Sequence, residues 1–179
     1  MNKYPGSAYA GIDEVDVAAE LRPIDELPED LKPALTYWER IKPPGAVGPA
    51  WGSFDLLELP TSYLPTALVV DCIDDGERRG YLYRFWGSAL TPVFGKDMTG
   101  KTFEDCPGAF RAASYATYDM VREHRAPCLI RFNARFGSNA TRFQTAFRLP
   151  LSKDGETVST IVSLLLVDYR KHEWEQLWN

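Results

Sequence analysis

The apolar residues of this chain change their spacing at Pro127, and no other feature restricts the fold as much. Before it, Phe110, Ala113, Thr117, Met120 and His124 recur at alternating intervals of three and four, which predicts a helix over 108–125 with those five residues on one face. Pro127 stops it. After it the period falls to two. Cys128, Ile130, Phe132, Ala134 and Phe136 alternate with Leu129, Arg131, Asn133 and Arg135. Beyond Gly137-Ser138-Asn139, the set Phe143, Thr145, Phe147 and Leu149 alternates with Arg142, Gln144, Ala146 and Arg148. Each run is a strand with one apolar and one polar face. After Lys153-Asp154-Gly155, Val158 to Tyr169 is apolar on both faces, as expected of a strand covered on two sides.

Upstream, Leu68 to Ile73 and Gly80 to Trp86 flank Asp74-Asp75-Gly76 and read as a hairpin. Leu31, Leu35, Trp38 and Ile41 repeat at helical spacing until Pro43-Pro44-Gly45 ends that helix. Two strands, a helical segment and then three strands describe an α+β fold: a five-stranded antiparallel sheet with helices on one face, plus an N-terminal helical extension. The division expected is 1–58 for an acidic arm and amphipathic helix, 59–170 for the domain, and 171–179 for a C-terminal tail.

Charge is unevenly distributed. Residues 1–30 hold eight acidic and two basic residues, so the remainder of this chain of net charge −5 is close to neutral. Bulk charge therefore does not favour a nucleic-acid partner. Arg131, Arg135, Arg142 and Arg148 are expected to share the outer face of two neighbouring strands, where the acidic arm of the same or a partner subunit could lie across them. Met1 to Val15 contains no basic start followed by an apolar run, which implies a cytoplasmic protein, and the longest apolar run is far short of the ~20 residues of a membrane helix. No membrane partner is expected. Cys72, Cys106 and Cys128 form no CxxC pair and read as reduced packing residues.

Within the hairpin and the connector after it, Tyr83-Arg84-Phe85-Trp86-Gly87-Ser88 is followed by Gly95-Lys96-Asp97-Met98-Thr99-Gly100. These two motifs resemble the Tyr-Arg-x-x-Gly-Ser/Thr and Gly-x-Asp-x-Thr-Gly of the bacterial PAS-like domains of the PAS_5 type, and the likeness runs from about Leu59 to Tyr169. It implies the PAS fold and a sensory or adaptor role: a homodimer that binds a small apolar or aromatic metabolite and passes its signal to a separate signalling protein. Family members share no common ligand, so the cofactor stays open. In haem-binding PAS domains the iron ligand comes from the long helix, which makes His124 the residue for a haem reading. Flavin photosensors carry Asn-Cys-Arg-Phe-Leu-Gln, from which Glu104-Asp105-Cys106-Pro107-Gly108 departs at nearly every position.

On their own chemistry, Gly87, Gly95 and Gly100 stand where the backbone needs positive φ or close approach. Arg84 needs a carboxylate if buried, with Asp97 the expected partner, or else it reaches an anionic ligand. The pocket between helix and sheet is expected to be lined by Arg84, Trp86, Phe110, Thr117, Met120, His124, Phe132, Phe143 and Phe147. No metal site is expected, because His172-Glu173 lacks a second histidine at the spacing of a zinc helix. No serine nucleophile elbow, phosphate-binding loop or dinucleotide fingerprint is present. A non-enzymatic domain is the reading taken. Its rival is a small enzyme in the same α+β cup, with His124 as acid/base.

Overall fold

The computed structural model describes residues 19–74, 76, 79–94, 96–106, 108–136 and 140–166, with the backbone alone at 93–94, 108–110, 133–136 and 140–144. Six antiparallel strands form one sheet: β1 (Ala19–Arg22), β2 (Ala67–Asp74), β3 (Arg79–Trp86), β4 (Cys128–Phe136), β5 (Ala140–Leu151) and β6 (Thr160–Leu166), in the order β1-β4-β5-β6-β2-β3. Helix α1 (Lys32–Ile41) precedes β2, the short α2 (Leu90–Phe94) follows β3, and α3 (Gly108–His124) precedes β4. The fold is α+β, and the long helix begins and ends where the apolar spacing and Pro127 put it.

Two expectations change. The sheet has a sixth strand, because Ala19 to Arg22 of the acidic arm pair with Phe132 to Leu129 of β4. Four residues without strong alternation carry no strand signal of their own. They are strand because β4 offers an unpaired edge. The helices also do not gather on one face. Leu31, Ala34, Tyr37 and Trp38 of the α1 region pack with Phe147, Leu149, Leu151, Val162 and Leu164 on one side of the sheet. Tyr118 and Val121 of α3 pack with Tyr81, Tyr83, Phe103, Ile130, Ala146 and Ile161 on the other. Strand β6 is accordingly buried along nearly its whole length, because both its faces are covered.

The extension is anchored to the sheet by specific contacts. Trp38 Nε1–H donates to the Pro150 carbonyl at 2.8 Å, satisfying the indole where it is buried. The Tyr37 hydroxyl accepts from the Asp55 amide at 2.7 Å and holds the connector against α1.

The four arginines do not share a face. Register pairs Arg131 with Thr145 and Arg135 with Thr141, but Arg142 with Ala134 and Arg148 with Cys128. Paired residues lie on the same side of a sheet, so Arg142 and Arg148 fall on the Cys128–Ile130–Phe132 side and Arg131 and Arg135 on the opposite one. Each strand was alternating correctly; their relative register is what the sequence left unset. The side chains of Arg135 and Arg142 lie outside the described residues.

Candidate functional site

The region between α3 and the sheet is built around Phe103, which is fully buried. Its ring lies 4.7 Å from that of Tyr81, 4.9 Å from Tyr83 and 5.2 Å from Tyr118, centroid to centroid. The two quoted motifs meet here. The Tyr83 amide donates to the Lys101 carbonyl at 2.9 Å, and the Gly100 amide donates to the Tyr83 carbonyl at 2.7 Å, so the connector is pinned along β3. Gly100 takes φ +74°, and a Cβ on Gly87 would stand 2.3 Å from the Pro65 carbonyl oxygen, so both glycines answer a backbone requirement. Trp86 is buried beside Tyr83, with ring centroids 5.1 Å apart.

On α3 the buried face is carried by Ala113, Ser114, Thr117, Tyr118 and Val121. Thr117 is only 1% exposed, but its hydroxyl donates to the Ala113 carbonyl at 2.8 Å and is spent on its own helix. Met120 is partly buried against the same cluster. His124 is exposed and leaves the interior altogether. It lines an open surface groove of about 530 Å³ with Leu21, Ile24, Leu35, Trp38 and Pro127. The buried face thus keeps Ala113 and Thr117 of the expected one but turns toward Ser114, Tyr118 and Val121 and away from Met120 and His124. Tyr118, 2% exposed, is the buried helix residue that the three-four spacing did not include.

Phe132 belongs to the α3 side, whereas Phe147 pairs with Leu129 and packs on the α1 side. The expected trio of phenylalanines is therefore split by the sheet. The side chains of Phe110 and Phe143 lie outside the described residues. Arg84 also stands on the α1 side. Its guanidinium binds Asp71, with Nε at 2.9 Å and Nη2 at 2.8 Å from Oδ2, and sits over the Trp51 ring at 5.1 Å. Asp97, the expected partner, instead accepts from the Thr99 amide at 2.8 Å and caps its own turn.

The residue that sequence reasoning assigned to the outer surface occupies the interior. Arg148, in the central strand β5, is 3% exposed, and its guanidinium stacks on the Tyr118 ring at 3.7 Å from the centroid. Its neighbours across the sheet are Cys128 and Ser163, and the Ser163 and Tyr118 hydroxyls lie 2.9 Å apart. Burial pulls the guanidinium below its ordinary pKa, only partly opposed by the surrounding phenols and thiol. Burial likewise pushes up the hydroxyls of Tyr83 and Tyr118, which stay neutral donors. The same cause raises the Cys72 thiol to about 12 and those of Cys106 and Cys128 to about 11. These are packing thiols rather than nucleophiles.

Among the described residues, no group of three or more His, Cys, Asp or Glu side chains could hold a metal ion, and no helix is long and apolar enough to cross a membrane. Comparison of the chain with family models, curated proteins and solved structures gave no match.

Proposed function

We propose that the chain is a PAS-like sensory or adaptor domain, which binds a small molecule between α3 and the sheet and works as a homodimer with a separate signalling protein. The observation that carries this reading is the strand arrangement. Leaving β1 aside, the first and last strands, β2 and β6, are neighbours at the centre, while β3 and β4 flank the sheet and α3 lies across one face. That arrangement is what the resemblance of the Tyr83–Ser88 and Gly95–Gly100 motifs implies for a PAS domain, and the contact between Tyr83 and Gly100 ties the two motifs into one structural unit. The α3 side also buries hydroxyls and a guanidinium among aromatic rings, a lining suited to orienting a small ligand rather than only filling space.

The groove beside His124 supplies an output surface in this reading. Leu21 and Ile24 are exposed there at 41% and 43%, next to the edge strand β1. An exposed apolar pair at a sheet edge suits contact with a second copy. Nothing about His124 favours acid/base chemistry or haem over this role, because it stands away from the aromatic interior.

Native mass spectrometry of freshly purified protein tests both halves together. A dimer carrying a non-covalent adduct that disappears on denaturation is the expected result. A bare monomer, whose melting temperature no small molecule raises, would remove the sensor reading.

A further inference from the structure

A guanidinium inside a protein needs either a carboxylate or enough carbonyls to satisfy five N–H donors. Arg148 has neither. Its Nε and Nη1 are buried with no hydrogen-bond partner. The cation–π contact with Tyr118 covers one flat face of the group, leaving those in-plane donors unmatched. No carboxylate among the described residues is bonded to it: Asp119 accepts from the Tyr81 hydroxyl, Asp74 from Arg122, and Asp71 from Arg84 and Thr160. The other ionisable or polar groups around Arg148 are Tyr81, Tyr83, Tyr118, Cys128 and Ser163, all neutral. A buried cation left in this state is among the costliest features a fold can carry.

The geometry points to Arg148 as the anchor of an interior site for a small monocarboxylate with an aromatic or short apolar body. The inference rests on the ligand-binding reading proposed above and specifies its chemistry. A planar guanidinium matches a carboxylate through parallel N–H···O bonds. One buried cation neutralises one negative charge, so a doubly charged phosphate would leave a net charge in the interior. Phe103, Tyr81, Tyr83 and Tyr118 supply the aromatic surroundings for the body of the ligand. Ala113, Ser114 and Thr117 keep the α3 side of the layer built from small side chains. The hydroxyls of Ser163 and Tyr118 are placed beside the guanidinium as second-rank donors.

The full chain, stripped of bound molecules by denaturation and refolding, is titrated with benzoate, phenylacetate and hexanoate and with the corresponding uncharged amides, following the melting temperature. The carboxylates are expected to raise it by about 5–10 °C at a hundredfold excess over Kd, and the amides not to. Arg148→Met should fold, with a melting temperature equal to or above that of the unliganded parent, and should lose at least tenfold in carboxylate affinity. Arg148→Lys, which keeps the charge without the planar fork, should fall between. Amides that stabilise parent and Arg148→Met alike would preserve the sensor reading and overturn the carboxylate site. So would the absence of any carboxylate response in a protein whose native mass spectrum still shows an adduct without a carboxyl group. If Arg148→Met unfolds, the comparison of acid with amide on the parent protein still decides: an equal or absent response to the acids overturns the site.

Discussion

The two faces of the sheet are both buried, but by different chemistry. On the α1 side the interior is mostly Leu27, Leu31, Leu59, Val69, Phe147, Leu149, Leu151, Val162 and Leu164, and its buried polar groups are matched: the Trp38 indole by the Pro150 carbonyl, the Tyr37 hydroxyl by the Asp55 amide and the Thr160 hydroxyl by Asp71. On the α3 side the interior holds three buried tyrosines, two buried cysteines, Ser114, Thr117, Ser163 and Arg148. Every polar atom in a packed layer must be matched or costs free energy, and the α3 layer carries more of them, with two buried nitrogens of Arg148 unmatched. The contrast separates a layer that supports the fold from one arranged around something else, and it is drawn by the alternation of β5 itself: Phe147 and Leu149 point one way and Arg148 the other.

Neighbouring substitutions in β5 put the contrast to its hardest test. Leu149→Ala removes a fully buried side chain from the α1 side and should cost about 2–5 kcal/mol, depending on how far the site collapses. Arg148→Met, one residue away and equally buried, should be neutral or stabilising in the unliganded protein, because a desolvated charge is exchanged for apolar volume. Urea unfolding of the two variants gives both numbers. A loss at Arg148 as large as that at Leu149 would mean that both faces are ordinary supporting layers.

Much of this was legible in the sequence, and its limits have a physical cause. The α3 boundaries and five of the strands follow from spacing and from Pro and Gly punctuation, which are local signals. Gly87 and Gly100 were correctly read as backbone requirements. What failed was relational. Alternation fixes which residues of β4 share a face and which residues of β5 do, but not which face of one strand joins which face of the other. Pairing Cys128 with Arg148 put Phe147 on the far side from Phe132 and took Arg148 inside. Strand β1 was invisible because its pairing is supplied by β4 rather than by its own residues. For Arg84, Asp97 of the following motif was the expected partner, yet Asp71, equally far away along the chain, lies diagonally across the β2–β3 ladder and takes its guanidinium. The signal that could have found Arg148 was an arginine flanked by Phe147 and Leu149 in a strand followed by another apolar on both faces.

The cysteines sharpen the comparison in a second way, since Cys72, Cys106 and Cys128 all belong to the α3 side. With pKa values pushed to about 11 and about 12, against about 8.5 for a free thiol, less than about one part in a hundred is thiolate at pH 8. A raised pKa means the neutral thiol persists as pH increases toward that value. All three should therefore react with a disulfide reagent at pH 8 on the order of a hundredfold more slowly than in urea-unfolded protein. Fast reaction of Cys106 or Cys128 in the folded protein would show that the α3 layer opens locally well below the global unfolding free energy. A carboxylate bound at Arg148 should slow Cys128 further, because the two residues are register partners.

The smallest effect is expected at the other strand arginine, and it bears most directly on what distinguishes the two faces. Arg84 and Arg148 are both strand residues stacked on an aromatic ring, Trp51 in one case and Tyr118 in the other. Arg84 has its carboxylate: Asp71 takes its Nε and Nη2 and also accepts from the Thr160 hydroxyl at 2.9 Å, joining β3, β2 and β6 on the α1 side. Its side chain is 38% exposed, so solvent weakens the attraction between the two charges. Arg84→Leu should cost less than about 1 kcal/mol, and it should leave carboxylate binding unchanged, since the charge it removes is already neutralised on the opposite side of the sheet. Calorimetric titration with benzoate, run in parallel on Arg84→Leu and Arg148→Met, separates the two arginines. Loss of binding in Arg84→Leu with retention in Arg148→Met would move the anion site to the α1 face and invert the assignment of the two layers.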